Sequence, residues 1–398
     1  MVLLNENDEA DEVHQAKLRV LVYAAFFLPG FKGGGPIKTL SNLIERTTDE
    51  IYYRVVTKDR DLGELRPYEG VRANKWLLRN GYSIIYCSPG VFGKFRLLFQ
   101  VFKSEYDILY LNSFFSFSFS ILPLLLGKAL GRTVVIGPRG EFSPGALGIK
   151  SMKKRVFIYF YRMLRFQKGV LFQASSNFES TDIKKILGDC VDVYVSEDIG
   201  SLEFPKCLRR KEFALLRIVF LSRISAKKNL TKALEILMDV DFDVSFDIYG
   251  PVEDPVYWDR CRELINRLPP NVLVEYKGEL RPENVIGVLA GYDLFFFPTL
   301  GENYGHVIAE ALCAGLPVLI SDSTPWRGLR ELKIGWDLPL DSTARFVDAL
   351  TEVASMSPGD LMRMREGVLE WAQKRFSCAA AVESNKAMFR YALGARQK

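Results

Sequence analysis

Glu302 and Glu310 are the residues of this 398-residue chain whose type and spacing point most directly to chemistry. Seven residues separate them, Gly305 lies between, and a run of helix-forming composition (HVIAEALCAG) carries the second. An apolar strand, predicted over Leu294–Pro298, precedes them. In an open parallel sheet such a strand delivers its following loop to the edge where ligands bind. Amides at the helix start, around Tyr304, His306 and Val307, join the positive end of the helix dipole and suit an anion such as a diphosphate. Gly305 permits close backbone approach. Glu302, beside Asn303 in the loop, and Glu310, further along the helix, offer acceptors to the hydroxyls of a polyol. A nucleotide joined to a sugar combines both features. Spacing alone would fit two solvated charges on an ordinary helix; the surrounding G-E-N-Y-G-x4-E-A-L-x-A-G-x-P-V pattern sets them apart.

Cations stand at a comparable edge. A strand predicted over Arg217–Ser222 runs into Arg223 and, five residues on, Lys228, followed by Asn229 and a helix with Leu230, Ala233, Leu234 and Leu237 on one face. Two cations there would hold a diphosphate and stabilise it as a leaving group. Near the N-terminus, Lys32-Gly33-Gly34-Gly35-Pro36 joins a strand (Arg19–Tyr23) to a helix with Pro36 at its start. It is a tight connection needing positive φ, and without a following G-K-[ST] it is no nucleotide-hydrolysing phosphate loop. Gly137-Pro138-Arg139-Gly140-Glu141 follows a strand at Thr133–Ile136 and reads equally as a turn or as a substrate-facing loop. Asn112 and Ser113 end a strand predicted from Ile108 and are comparable candidates. D-x-D triplets at Asp59–Asp61, Asp239–Asp241 and Asp241–Asp243 follow no suitable strand and read as turns. A glycosidase pair fits poorly: eight helical steps would put the two glutamates about 12 Å apart, against about 5–9.5 Å for such pairs.

These elements resemble the retaining glycosyltransferases of family 4 with the GT-B fold, whose signature pairs two glutamates as E-x7-E. The likeness covers the second half closely and the first half more loosely. It implies an α/β chain of two Rossmann-like, doubly wound domains facing each other across a cleft. It implies that Glu310 binds the donor ribose and Glu302 contacts the transferred sugar. The family's E-G-F-G stands here as Glu302-Asn303-Tyr304-Gly305. Its G-R-x4-K-G cations map to Arg223 and Lys228, with Ser222 and Asn229 where glycines are usual. Gly33, Gly34 and Gly35 would close over the donor phosphates from the opposite domain. Similar bacterial polysaccharide transferases carry a P-R-G loop at Arg139, which places Arg139, Glu141 and Asn112 on the acceptor side. A histidine often found near Asn112 is absent. The resemblance implies sugar transfer from a UDP- or GDP-linked donor to a glycan acceptor, expected to be lipid-linked, in surface polysaccharide biosynthesis. No metal and no cofactor is expected, the nucleotide sugar being a substrate. A nucleotide-sugar epimerase of the same fold and a non-catalytic nucleotide-sugar-binding subunit are the alternatives.

The elements that must position these residues are legible as alternating strand, loop and helix, the pattern of parallel sheets flanked by helices. Further strands are expected at Tyr53–Thr57, Ser83–Cys87, Val170–Gln173, Ser245–Tyr249, Leu273–Tyr276 and Leu316–Ser321. Many are unbroken apolar runs, as in sheets covered on both faces. The length favours two domains. We place a loose acidic leader at 1–16, an acceptor domain at 17–205, a nucleotide-sugar domain at 213–376, and a last helix at 377–398 packing back on the first domain.

Composition narrows the setting. Six scattered cysteines without C-x-x-C, and only two histidines, argue against a disulfide framework or zinc site and for a cytoplasmic home. With the five acids of the leader set aside, 53 basic residues face 43 acidic ones, a net charge of +10 that favours anionic partners. Leu111–Gly127 is uncharged but contains Pro123 and is too short to span a bilayer, so a strand end and core helix are expected. From Phe142 to Phe178 no acid occurs, while seven Lys and Arg interleave with aromatics. A basic amphipathic helix over 150–168 resting on an anionic membrane and a core helix with a solvated face fit this equally. Nucleic acid is not expected, because no recognised binding module accompanies the charge.

Overall fold

The computed structural model describes residues 17–148, 151–200, 203–208, 215–377 and 379–395. The acidic leader, Lys150 and parts of the charged 201–212 connection lie outside them. The chain separates into two compact units, Met1–Ile199 together with Ala379–Lys398, and Gly200–Cys378.

The first unit is built on eight strands: β1 (Leu18–Tyr23), β2 (Ile51–Lys58), β3 (Trp76–Arg79), β4 (Tyr82–Cys87), β5 (Ile108–Leu111), β6 (Thr133–Ile136), β7 (Val170–Ala174) and β8 (Asp192–Val195). Their order is β3-β4-β2-β1-β5-β6-β7-β8, all parallel except β3, which runs antiparallel to β4. Beside β1 lie β2 on one side and β5 on the other, so the order reverses there, the switch point at which such sheets bind ligands. One face is covered by α1 (Gly35–Thr47) and the chain's last helix, whose Leu40, Leu43, Met388 and Phe389 pack on Val20, Val22, Tyr53 and Tyr110. The other is covered by α2 (Val91–Lys103), α3 (Leu122–Ala129), α5 (Ser151–Met163) and α6 (Asn177–Leu187), with the short α4 (Pro144–Gly148) preceding α5. There Leu97, Val101, Leu124, Tyr161 and Ile183 share a core with Leu21, Leu109 and Val134. Double coverage explains why Val20–Tyr23 of β1, all of β5 and Val134–Ile136 of β6 are unbroken apolar runs.

The second unit carries β9 (Leu216–Leu221), α7 (Leu230–Leu237), β10 (Val244–Tyr249), α8 (Pro255–Ile265), β11 (Val272–Gly278), α9 (Val285–Leu289), β12 (Leu294–Phe297), α10 (His306–Cys313), β13 (Val318–Ser321), β14 (Gly335–Leu338), α11 (Thr343–Ser355) and α12 (Pro358–Ser377). Its parallel sheet, β11-β10-β9-β12-β13-β14, reverses order between β9 and β12. α13 (Ala380–Gly394) belongs to the first unit, where Lys386 Nζ pairs with Asp49 at 2.5 Å and Glu50 at 3.1 Å. Asn385 there accepts from Gln173 Nε2 at 3.0 Å and donates to the Glu197 carbonyl.

Several expectations change. The basic 150–168 stretch is not one helix: α5 ends at Met163, Arg165 takes φ 55°, and Phe166 N donates back to the Tyr161 carbonyl. Strands β3, β8 and β14 carry no apolar run long enough to announce them. Leu111–Gly127, by contrast, keeps the expected strand end and core helix, joined by a wide turn, with Pro123 in the first turn of α3. No helix among the described residues is long and apolar enough to cross a membrane.

Candidate active site

In the second unit the loops after β9 and β12 meet at the switch point, and two charges singled out in the sequence touch there. Lys228 Nζ donates to Glu302 Oε1 at 2.6 Å, and their side chains retain only 13% and 11% exposure. Lys228 also lies 5.6 Å from the ring centre of Phe297, the last residue of β12. The buried Thr299 organises the contact. Its Oγ1 is 3.2 Å from both Glu302 Oε1 and the Lys227 carbonyl, while its own carbonyl accepts from Ser321 Oγ at 2.5 Å. Leu300 N donates to the Lys227 carbonyl at 3.0 Å, closing one loop on the other.

Asn229 explains how the first loop turns. It takes φ 58°, in the left-handed region, between a short 3-10 turn (Ala226–Lys228) and α7, and its amide donates to the Pro298 carbonyl at 2.9 Å. Glycine is the usual residue for such a φ; asparagine tolerates it and adds a tether to the neighbouring loop. Arg223 lies nearer solvent, its guanidinium 2.9 Å from Glu253 with side-chain exposures of 35% and 43%.

α10 begins at His306, with Gly305 at φ 82° accepting from Ile308 N at 2.8 Å. A Cβ at Gly305 would come within 2.9 Å of Ile308 and 3.3 Å of Trp326 Nε1, so both its φ and its surroundings require glycine. Trp326 Nε1 donates to the Tyr304 carbonyl at 2.5 Å, and the Tyr304 ring packs on His306 (4.8 Å) and Trp326 (5.6 Å). The entry to the helix, Asn303 to Val307, is thus fixed by aromatic packing. Glu310, one helical turn further, is buried at 7% exposure. Because Glu302 to Gly305 is loop, the helical estimate of about 12 Å applies to only half of the interval between the glutamates.

The first unit places its candidates differently. Gly34 alone of the three glycines takes positive φ (68°), as the residue capping α1; Gly35 opens the helix, and a Cβ at Gly33 would meet Ile37 at 2.9 Å. Asp61, read as a turn residue, is instead a buried anchor for the preceding loop, accepting from Phe31 N at 2.8 Å and Lys32 N at 3.1 Å. Asn112 donates to the Pro36 carbonyl at 3.3 Å, tying the loop after β5 to the start of α1.

Arg139 does not project from its loop. With φ 56° its guanidinium, 5% exposed, turns inward to Asn112 Oδ1 (2.8 Å), Asp198 (2.8 Å), Gln173 (3.3 Å) and the Tyr110 hydroxyl. Asp198 in turn accepts from Thr39 of α1 at 2.8 Å. Glu141 is likewise turned in. It accepts from Phe114 N (2.5 Å), Phe115 N (3.0 Å) and Ser113 Oγ (3.1 Å), while burial pushes its carboxyl above the usual range against the pull of those donors. Both residues therefore brace the loops around the switch point.

Residues 213–364 match the family model described as Glycosyl transferases group 1. The match falls wholly within the second unit. It contains Arg223, Lys228, Glu302 and Glu310 together. No curated protein matches the chain. Among solved structures, the Anabaena protein Alr3699/HepE in complex with UDP and glucose is similar over 94% of this chain and 99% of its own, at 16% identity and TM-score 0.65. Sucrose-phosphate synthase from Thermosynechococcus elongatus matches at TM-score 0.69 and 13% identity, covering 95% of this chain and 100% of its own. WaaG, a glycosyltransferase involved in lipopolysaccharide biosynthesis, matches at TM-score 0.60 and 12% identity over 93% and 99%. At these identities the likeness is one of fold: two α/β domains with parallel sheets, as in GT-B glycosyltransferases. The matched segment also holds residues that the sequence did not single out, chiefly Thr299, Ser321 and Trp326, which carry no charge or motif to mark them.

Proposed function

We propose that the chain is a retaining glycosyltransferase of the family 4, E-x7-E type. It moves a sugar from a UDP- or GDP-linked donor to a lipid-linked glycan in surface polysaccharide biosynthesis. The observation that carries this reading is the Lys228–Glu302 contact at the switch point of the group 1 domain. An ammonium and a carboxylate held together by two adjacent loops form a site with one group for a phosphate and one for a sugar. The solved structure of the Anabaena protein with UDP and glucose supports a nucleotide-sugar donor.

In this reading a diphosphate takes Lys228 away from Glu302, and Arg223 adds a second cation. First-turn amides of α10 face the same charge. Glu310 accepts from the ribose, and Glu302, released, faces the sugar. Departure of the nucleoside diphosphate is aided by these cations, without a metal, and an acceptor hydroxyl attacks the same face of an oxocarbenium-like sugar. A cytoplasmic enzyme working on a lipid-linked acceptor meets it at the inner face of the plasma membrane, where the basic segment of α5 faces anionic lipid.

The test is a thermal-shift screen of nucleotide sugars on wild type and Glu310→Ala, followed by assay of nucleotide release with and without acceptor. A stabilising donor whose effect disappears in Glu310→Ala, and whose nucleotide is released only with acceptor, is expected. An effect that survives the change contradicts the ribose role. Conversion of the donor without acceptor would identify an epimerase instead, and binding without turnover a carrier subunit.

A further inference from the structure

Helix α2 of the first unit is apolar on both sides. Its inner side, Gly93, Leu97, Gln100 and Val101, is buried against the sheet. Its outer side presents Phe92, Phe95, Phe99 and Phe102 at 88%, 68%, 56% and 52% exposure. These four recur at three- and four-residue intervals and so form one stripe along three turns. The exposed stripe is more aromatic than the buried one. A soluble helix ordinarily gives that side to polar residues, so this stripe is a surface built to be covered.

Charge identifies what covers it. Between Gly70 and Phe178 the sequence holds sixteen Lys and Arg and three acids, Glu105, Asp107 and Glu141. Glu141 is turned into the fold, and Asp107 is bound by Arg19 N at 2.8 Å. Lys94, Arg96 and Lys103 flank the aromatic stripe and are exposed. On the same face of the sheet α5 exposes Tyr159, Phe160 and Met163. Beside it, Arg155, Arg162, Lys168 and Lys185 line a groove of about 1140 Å³. A second copy of the chain, meeting this surface with its own, would set cations against cations. A nucleic acid would match the charge but leave a row of four phenylalanines facing water. An anionic leaflet satisfies both features: headgroups meet the lysines and arginines, and acyl chains receive the rings.

We propose that α2 is a membrane-inserting helix whose Phe92, Phe95, Phe99 and Phe102 enter the acyl boundary of an anionic leaflet, with the basic surface of α5 engaging its headgroups. This insertion rests on and extends the membrane contact of α5 in the proposed function, but it can be tested apart from sugar transfer, since binding a vesicle needs neither donor nor acceptor.

The test uses the full chain and vesicles of phosphatidylcholine with or without phosphatidylglycerol. Wild type is expected to sediment with the mixed vesicles and not the neutral ones. Phe92→Glu with Phe95→Glu should lower the partition coefficient at least about tenfold, because carboxylates resist entry into acyl chains. A thermal melt checks that this variant is folded. Independently, Phe95→Trp keeps an aromatic ring, and the emission of the introduced indole should shift to the blue and be quenched by brominated lipid. Equal binding by the double variant, or an indole emission that stays unshifted and unquenched on bound protein, overturns the insertion of α2 even if charge changes in α5 abolish binding. Preference for nucleic acid over vesicles, or a dimer dissolved by the double variant, overturns it as well.

Discussion

Replacing Glu302 by glutamine should separate the two tasks assigned to the Lys228–Glu302 contact. At 2.6 Å and an effective dielectric of about 20, the gross attraction is about 6 kcal/mol. Desolvation of two largely buried ions offsets most of that, and we take about 1–1.5 kcal/mol as the net coupling. A nucleoside diphosphate that recruits Lys228 must overcome this coupling before it binds. Glutamine keeps the size of Glu302 and an oxygen for Lys228 and Thr299 but removes the charge, so the competition falls away. The expected result is a Kd for the nucleoside diphosphate about 5–10-fold lower than in wild type. The same substitution removes a carboxylate from beside the developing positive charge of the sugar. Loss of one such electrostatic group costs about 3–4 kcal/mol at the transition state, or a fall in kcat of about 10²–10³. Calorimetric titration with UDP and GDP measures the first effect, and nucleotide release with acceptor measures the second. A Kd that rises in Glu302→Gln, or a kcat within about threefold of wild type, refutes the exchange of partners at Lys228.

Arg223→Ala should change the melting temperature little, because an exposed pair with Glu253 is worth about 0.5 kcal/mol, yet weaken UDP or GDP binding about tenfold; equal affinity in a titration would remove Arg223 from the phosphate site. Stability should also depend on Glu179, whose buried carboxylate accepts from Gly140 N at 2.7 Å and Ser175 N at 2.8 Å. Burial raises its proton affinity above that of the unfolded chain, so the folded state holds more protons and loses stability as pH rises from the ordinary glutamate range through the raised value, levelling off above it. Urea midpoints from about pH 4 to 7 should therefore fall less steeply in Glu179→Gln than in wild type, and parallel slopes would count against this account.

What could be read from the sequence was set by burial on two faces. β6 is found over the residues expected, Thr133–Ile136, and β1, β5, β9 and β12 within a residue or so, because each is an apolar run enclosed by helices. The strands that escaped notice, β3, β8 and β14, lie at sheet edges; exposed residues such as Arg79 and Asp192 interrupt the pattern in β3 and β8, and β14 is only four residues long with Asp337 inside it. Glu302 and Lys228 each stood out through local motifs, but their contact depends on β9 and β12 being neighbours, which no local pattern encodes. Arg139 and Glu141 show the opposite difficulty. A charged pair in a glycine-bearing loop resembles a surface site until the positive φ at Arg139 turns its side chain inward. Thr299 and Asp61 look like turn residues for the same reason: what they hold is backbone from distant segments.

The return of α13 to the first unit has a consequence for synthesis. The second unit is contiguous, Gly200–Cys378, whereas the first needs residues from both ends of the chain. On the ribosome, the unit that begins first is therefore completed last. Until Met388 and Phe389 emerge, the hydrophobic surface of Val20, Tyr53 and Tyr110 lacks part of its cover. A nascent chain stalled before α13 should accordingly present a finished second unit beside a first unit still open on one side, the stage at which a chaperone would find something to hold.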